Sequence, residues 1–160
     1  MLLKFSGVPE VAMPRAELWL RVIDPQFVAR SSPAVETVEV VDPTHCTVVS
    51  AFGVGDIKLR FSLDVESTEV VPPTTLAFRA AGRAPASAVH VRAVLNLEEL
   101  TSGMTRLDWS ADTELSGMLA SLGTQLMEGP ARRLTEKFWL NFLRHAEAGG
   151  PPSELPGASA

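Results

Sequence analysis

The stretch from Leu115 to Ala148 constrains the fold more than any other part of the chain. Its apolar residues recur every three or four positions, a spacing that places side chains on one face of an α-helix. They are Leu115, Leu119, Leu122, Leu126, Pro130, Leu134, Phe138 and Phe142. Met118, Met127, Ala131, Trp139 and Leu143 widen this stripe. A stripe this broad predicts a long helix that the rest of the protein surrounds.

Three glycines and one proline interrupt the helical pattern. Gly117, Gly123 and Gly129 each cost about 1 kcal/mol relative to alanine inside a helix, and Pro130 lacks a backbone N–H. We therefore expect a kink at Gly129-Pro130, or a helix that restarts with Pro130 at its first position. The glycines indicate either close packing of the helix on a sheet or space for a ligand beneath it.

Most of the preceding chain alternates with the period of two that is typical of half-buried antiparallel strands. The clearest run has an apolar face formed by Ile57, Leu59, Phe61, Leu63 and Val65. Strands are predicted over residues 2–7, 35–41, 45–54, 57–71, 75–81, 87–97 and 104–115. Two short helices are predicted after the first strand, from Arg15 to Ile23 and from Pro25 to about Arg30, the second one capped by Asp24.

This order of elements predicts an α+β fold. About seven antiparallel strands form a curved sheet wrapped around one long C-terminal helix, because such a sheet cannot close its concave face with its own side chains. The folded domain is predicted to cover residues 1–148. Residues 149–160 are mostly Gly, Pro, Ser and Ala, and we expect them to form a disordered tail.

Composition narrows the range of partners and compartments. The formal net charge of −5 argues against nucleic acid as a partner. The single cysteine, Cys46, rules out an internal disulfide framework and fits a cytoplasmic protein. We expect no signal peptide, because no basic start precedes an apolar run. We expect no membrane-spanning segment, because no apolar run is long enough.

The sequence offers little catalytic or metal-binding chemistry. Gly53-Val54-Gly55 lacks the third glycine of a dinucleotide-binding loop and leads into a strand, so it predicts a hairpin turn. His45, His90 and His145 are far apart and share no metal-ligand spacing with Cys46. We therefore expect no catalytic residue, no metal site and no cofactor.

Strand parity decides which polar side chains face the interior. Cys46 falls on the inward face, where a cysteine most often acts as a small hydrophobe, and no cation beside it in sequence favours a thiolate. Arg79, His90 and Arg92 fall on the outward face, which predicts solvated residues. A one-residue bulge would turn these three inward and supply a polar catalytic set.

The inward strand faces are almost wholly apolar, and they either fill a core or line a cavity. A cavity with few polar groups suits a lipid tail or an isoprenoid chain. Each buried CH₂ group of such a chain contributes about 0.8 kcal/mol. The candidate lining residues are Val48, Phe52, Leu59, Phe61, Leu63, Phe78, Val91, Leu95, Leu107, Trp109, Leu119, Leu122 and Leu126.

The predicted C-terminal helix also carries a set of charges that nearly balance. They are Arg132, Arg133, Lys137 and Arg144 with Glu128, Glu136 and Glu147. Such a set indicates a solvated helix face. The alternative is weak attraction to an anionic membrane surface or to an acidic partner.

The element order resembles the helix-grip fold of the START-like, Bet v 1-like (SRPBCC) superfamily. Three N-terminal motifs point further, to the CoxG family, which takes its name from the G subunit of carbon monoxide dehydrogenase. They are Phe5-Ser6-Gly7, Pro14-Arg15-Ala16-Glu17-Leu18-Trp19 and the Asp-Pro-x-x-Val-Ala-x-x-x-Pro element from Asp24 to Pro33. The hairpin from Val54 to Phe61 and the helix with Ser116-Gly117, Leu122-Gly123, Gly129 and Ala131-Arg132-Arg133-Leu134 are also similar to that family. The likeness covers about residues 1–145.

The chain departs from the family pattern at three points. Ala34 stands where a glycine usually follows the third motif, and Pro130 replaces what is more often a small apolar residue. Many relatives carry a long linker and a C-terminal membrane-anchoring segment. Here about a dozen residues follow the predicted domain, which weighs against membrane recruitment by the tail.

The resemblance implies a non-enzymatic carrier or accessory protein that binds a quinone or a lipid between the sheet and the C-terminal helix. It also implies a link to molybdenum-containing CO dehydrogenase, and hence a cytoplasmic protein that is peripheral at the inner face of the membrane. Two alternatives stay open. One is a protein-binding assembly or membrane-recruitment factor for a redox enzyme, which needs no cavity. The other is a cyclase- or dehydratase-type enzyme of the same superfamily.

Overall fold

The computed structural model describes residues 1–148, which form a curved antiparallel sheet and four helices. The strands are β1 (Leu2–Gly7), β2 (Glu10–Val11), β3 (Val35–Asp42), β4 (His45–Val54), β5 (Ile57–Val71), β6 (Thr75–Ala84), β7 (Ser87–Thr101) and β8 (Met104–Gly117). The helices are α1 (Arg15–Val22), α2 (Pro25–Ser31), α3 (Met118–Ser121) and α4 (Thr124–Glu147). The predicted disordered tail lies outside the described residues.

The sheet order is β1-β8-β7-β6-β5-β4-β3, and β2 pairs with β8. This arrangement confirms the predicted α+β fold with a long C-terminal helix and two small helices near the start. The sheet has eight strands rather than about seven because Glu10 and Val11 pair with Arg106 and Thr105. Two residues are too few to show an alternating pattern.

Three strands extend beyond their predicted ends. The prediction ended β6 before Gly82, but Gly82 pairs with Leu63 on one side and with Val89 on the other. A Cβ atom at position 82 would lie 2.6 Å from the Leu63 Cδ2 atom. The glycine therefore serves close packing within a strand and does not end it. Likewise β7 reaches Thr101 and β8 reaches Gly117.

The long helix begins later than predicted. Residues 115–117 end β8, the short helix α3 follows, and α4 starts only after Gly123, whose φ of +86° is rarely accessible to other residues. From there α4 continues through Gly129 and Pro130, so a restart at Pro130 is wrong. Met127 before the proline and Ala131 after it pack on the same apolar cluster, so α4 is anchored on both sides of Pro130.

The helix α4 is not surrounded, contrary to the prediction. Met127, Phe142 and Ala146 are buried, whereas Leu126 and Leu140 are each 57% exposed. The sheet and the two small helices cover one side of α4, and the other side faces solvent. The stripe looked broader than one face because it combined residues of β8 and α3 with those of α4.

Two apolar clusters form the core, one towards each end of α4. The first cluster contains Phe142 and Ala146 together with Leu18 of α1, Phe27 of α2 and Leu107 of β8. The second cluster, towards the start of α4, contains Met127, Leu59, Phe61, Leu115 and Leu119 among its buried residues. The middle of α4 lies between these two clusters, above a stretch of sheet that the cores do not fill.

Candidate functional site

An apolar cavity lies between the helices and the concave face of the sheet. Its outer compartment has a volume of about 310 Å³ and is bounded by the α1–α2 turn and by β3, β4 and β5. Its inner compartment has a volume of about 240 Å³ and lies under the middle of α4. The two compartments share Val22, Val28, Ser32, Leu76 and Phe78, so they adjoin along these residues.

Aromatic rings form the side of the inner compartment that α4 provides. Trp139 stacks on Trp109 of β8 with 5.1 Å between ring centroids, and Phe138 stacks on Phe142 with 5.9 Å between centroids. The opposite side is formed by small and branched residues of β7 and β8, including Ala111. Among the described residues that line this compartment, none carries an ionisable side chain. The inner wall therefore offers burial and few hydrogen bonds.

The β3–β4 turn forms a polar rim at the mouth of the outer compartment. His45 lies 2.9 Å from Asp42 through its Nδ1 atom and 2.9 Å from Glu66 through its Nε2 atom. These two carboxylates favour the protonated imidazole and raise the pKa of His45 above its usual value of 6.5. Hydrogen bonds from His45 and from the Thr44 backbone lower the pKa of Asp42 to about 2. The rim is thus charged and open to water.

Cys46 lines the outer compartment just inside this rim. It is half-buried and faces the interior, as strand parity predicts. Burial raises the pKa of the thiol, which keeps it protonated near neutral pH. Cys46 therefore behaves as a small apolar wall residue.

Five of the thirteen predicted lining residues lie on the cavity wall. Val48 lines the outer compartment, Phe78 lines both, and Val91, Leu95 and Trp109 line the inner one. Parity placed these side chains correctly because no register shift separates β6 from β7 or interrupts the paired part of β4 and β5. Contact between these residues and a ligand stays a prediction.

The other eight predicted lining residues lie elsewhere. Leu107 belongs to the first core cluster, and Phe52, Leu59, Phe61, Leu63, Leu119 and Leu122 belong to or pack against the second. Leu59, Phe61, Leu107 and Leu119 are buried in these clusters, and Phe52, Leu63 and Leu122 are half-buried against the second. Leu126 is a wrong assignment, because the break at Gly123 resets the helical phase and turns its side chain to solvent.

Sequence reasoning missed the part of the wall that the small helices supply. Val22, Ile23 and Val28 of the α1–α2 segment line the outer compartment, and Ser32 follows them. The signal was present in the apolar spacing of α1 and in the Asp24 cap. Asp24 accepts hydrogen bonds from the backbone N–H groups of Gln26 and Phe27, which fixes the turn between the helices. Two amphipathic helices joined this way need an apolar surface to cover.

The polar residues considered for catalysis lie on the opposite, outer face of the sheet. Arg79, His90 and Arg92 line an outer cleft with Asp112 and Glu114, and Arg79 forms an ion pair of 2.6 Å with Glu66. The β6–β7 pairing has no bulge that would turn these side chains inward. Their predicted outward orientation is confirmed.

Residues 1–148 lack two further features. In this part of the chain, no group of three His, Cys, Asp or Glu side chains is arranged to hold a metal ion. None of the helices found there combines the length and the apolar character needed to cross a membrane.

Comparisons with known proteins identify relatives of this chain by sequence and by fold. Residues 7–146 match the family model described as the G subunit of carbon monoxide dehydrogenase (CoxG). No curated protein sequence matches the chain.

Several solved structures share the fold at low sequence identity. A conserved protein from Geobacillus kaustophilus is 19% identical with a TM-score of 0.82, over 91% of this chain and 96% of that one. The ZhuI aromatase/cyclase from Streptomyces sp. R1128 is 18% identical with a TM-score of 0.70, over 94% and 100%. A START superfamily protein from Mycobacterium smegmatis is 10% identical with a TM-score of 0.69, over 91% and 97%. These likenesses confirm the predicted helix-grip fold.

Proposed function

The chain belongs to the CoxG family of carbon monoxide dehydrogenase G subunits, and from this we propose that it is a non-enzymatic carrier of an apolar molecule, a quinone or a lipid. The observation that carries the proposal is the pair of adjoining apolar compartments, of about 310 and 240 Å³, between the sheet and the helices. Volumes of this order suit a ligand rather than a packing defect. A chain-like ligand gains about 0.8 kcal/mol for each CH₂ group it buries there.

The distribution of polar groups supports a carrier over a cyclase or dehydratase. General acid–base catalysis needs an ionisable group within hydrogen-bond reach of the substrate. In the described lining, such groups occur only at the mouth, in Asp42, His45 and Cys46. The inner compartment offers the Ser32 and Thr135 side chains, and the Thr135 hydroxyl already donates to the Ala131 carbonyl at 2.9 Å.

We place this carrier at the cytoplasmic face of the membrane, as a peripheral protein. The family description names carbon monoxide dehydrogenase, and we propose such an enzyme, of the molybdenum-containing type, as the partner. A quinone or lipid would then move between the membrane and that enzyme. Weak attraction of the α4 surface to anionic lipid fits this location, because its four basic residues are exposed. An assembly or recruitment factor for the redox enzyme is the alternative, and it requires no ligand.

Native mass spectrometry of freshly purified protein, followed by solvent extraction, tests the carrier proposal. We expect a co-purifying quinone or lipid at about one per chain, or uptake of offered menaquinone or a long-chain alcohol. A clean ligand-free mass with no uptake of either compound would contradict the carrier proposal and favour the recruitment factor.

The substitution Ala111→Phe should block uptake while the fold survives. Ala111 is half-buried on the inner wall, so a phenyl ring there would occupy the space in which a ligand would lie. We expect ligand to protect Cys46 from alkylation in the wild type and to give less protection in Ala111→Phe. Ala81→Phe, on the exposed outer face of β6, is the matched control and should behave as wild type. Equal uptake by both variants would count against the cavity as the binding site.

A further inference from the structure

The charges around the cavity point to the kind of ligand it takes. Among the described residues, no lysine or arginine lines either compartment. The ionisable lining groups are Asp42, His45 and Cys46, all at the outer mouth. We infer that the cavity takes an uncharged chain with its polar end at this mouth, and that it rejects the carboxylate of a free fatty acid. This inference rests on the proposed carrier function and names its ligand class.

A carboxylate inside the cavity would have no partner. Removing an ionised carboxylate from water without a compensating charge or hydrogen bonds is costly, so the group would have to take up a proton. The inner wall supplies only uncharged groups, the hydroxyl and indole N–H groups of its side chains, and the Thr135 hydroxyl is engaged with the backbone. An uncharged hydrocarbon segment meets no such cost.

A carboxylate at the mouth would meet the like charge of Asp42, which lines the outer compartment. Both ring nitrogens of His45 are already engaged, one by Asp42 and the other by Glu66 on the outer face of the sheet. His45 therefore has no free N–H to offer an anionic head group. A neutral hydroxyl or carbonyl group at this rim stays in water and is not repelled by Asp42.

Two basic residues near the inner compartment line a neighbouring surface cleft. Lys4 and Arg132 belong to the walls of this cleft, which shares the stacked Trp109 and Trp139 rings with the inner compartment. Arg132 also donates to Glu128 at 2.8 Å. Neither cation belongs to the wall of the inner compartment.

Two other arginines, Arg21 of α1 and Arg30 of α2, pack on the core and do not line the cavity. Their guanidinium groups lie over the Phe27 ring, at 5.9 and 5.3 Å from its centroid. Phe27 belongs to the first core cluster and to the wall of neither compartment.

The shape of the cavity favours a chain over a compact molecule. The outer and inner compartments meet along shared residues, and Phe78 lies at this junction with Leu76. A ligand that fills both compartments must therefore be extended. Its polar end belongs at the rim, since the inner compartment has no charged group to bind one.

A matched pair of ligands tests the inference. Hexadecan-1-ol and hexadecanoate have the same chain length and differ in the charge of the head group. The readout is the concentration of each that halves the rate of Cys46 alkylation near neutral pH, since Cys46 is the only cysteine. We expect the alcohol to act at a concentration at least about ten-fold lower, a difference of about 1.4 kcal/mol. Equal or stronger protection by hexadecanoate would overturn the inference and leave the carrier function standing.

Protection by neither ligand, together with a ligand-free native mass, would overturn the carrier function and this inference with it. A substitution makes the test independent of the ligands' solubility. Val48→Lys places a cation on the outer wall, and we expect it to shift the preference towards hexadecanoate by about ten-fold or more. Val94→Lys, on the exposed outer face of β7, is the matched control and should keep the wild-type preference.

Val38→Lys, on the edge strand β3, repeats the test if Val48→Lys does not fold. Val38 lines the same compartment, so its ammonium group would serve the same purpose. The inference would be overturned if, in a folded Val48→Lys or Val38→Lys variant, the ratio of the half-protecting concentrations of the two ligands were the same as in the wild type.

Discussion

His45 ties three strands together at the mouth of the cavity. Its own strand is β4, and its ring contacts Asp42 on β3 and Glu66 on β5. Glu66 in turn contacts Arg79 on β6. Only a protonated imidazole can donate from both nitrogens, so both contacts are full hydrogen bonds only when His45 is charged.

The contribution of His45 to stability should depend on pH in both directions. The pKa of His45 is raised in the folded state, so its contribution is complete below about pH 6.5 and is lost as pH rises through the raised value. The pKa values of Asp42 and Glu66 are lowered, so their contribution is complete above their ordinary values and is lost as the solution becomes acidic.

The substitution His45→Gln should therefore cost most stability between about pH 5 and 6. The measurement is the urea midpoint of wild type and variant across the pH range from acidic to alkaline. Glu36→Gln is the control, because it removes an exposed ion pair with Arg60 and leaves the His45 contacts intact. A difference between wild type and His45→Gln that does not vary with pH would show that these contacts contribute nothing to folding.

Residues whose role depends on local chemistry were predictable from the sequence. Asp24 caps α2 as expected, and Gly55 forms the hairpin turn with a φ of +59°. Leu126 was not predictable in the same way. Its orientation depends on where α4 begins, and that depends on Gly123, three positions earlier.

At the level of elements, two glycines shape the connection from the sheet to α4. Gly117 ends β8 with a φ of +78°, and Gly123 precedes α4 with a φ of +86°. A Cβ atom at Gly117 would collide with the Ala86 carbonyl oxygen, whereas one at Gly123 would meet open space. Both positions require a positive φ, but only at Gly117 would a side chain also meet neighbouring atoms.

This difference makes a matched pair of variants. Gly123→Ala should lower the free energy of unfolding by about 1–3 kcal/mol through backbone strain. Gly117→Ala should cost at least about 1 kcal/mol more, because it also disturbs the hydrogen bond of 2.6 Å from the Met118 N–H to the Ala86 carbonyl. Chemical denaturation measures both values. Equal costs would mean that the chain near Ala86 moves aside freely.

The start of the long helix could not be predicted from the sequence, because the strand period and the helix period overlap there. Leu115 and Leu119 are four positions apart, a spacing that is even and is also one helical turn. The same residues therefore fit the end of a strand and the start of a helix. Where alternation ran over longer stretches, as in β5, the strand and its buried face were predicted correctly.

For the whole molecule, the division of the core explains why the cavity was only partly predictable. Phe61 and Phe78 are the same residue type, and both face inward on neighbouring strands. Phe61 packs in the second core cluster, whereas Phe78 borders both compartments. Alternation identifies the inward face. It does not tell how far from that face α4 and the small helices lie, which depends on tertiary packing.

The net charge of the whole molecule is opposite in sign to the basic side chains of α4. The net charge is −5, yet Arg132, Arg133 and Lys137 are exposed on α4. We expect weak pelleting with anionic vesicles at low salt, none with neutral vesicles, and loss of binding at high salt because salt screens surface charges. Arg133→Glu with Lys137→Glu should abolish pelleting, and Lys58→Glu on the outer face of β5 should not. Absence of pelleting with anionic vesicles at low salt would rule out this contact.

The hollow between the two cores also bears on how long the protein survives in a cell. A ligand that binds only the folded state adds stability as its concentration rises above the dissociation constant. Small changes in stability alter steady-state abundance several-fold, because proteases remove the unfolded fraction. A carrier with an unfilled interior would then become scarce when its cargo is scarce. The amount of protein would follow the supply of cargo without any change in gene expression.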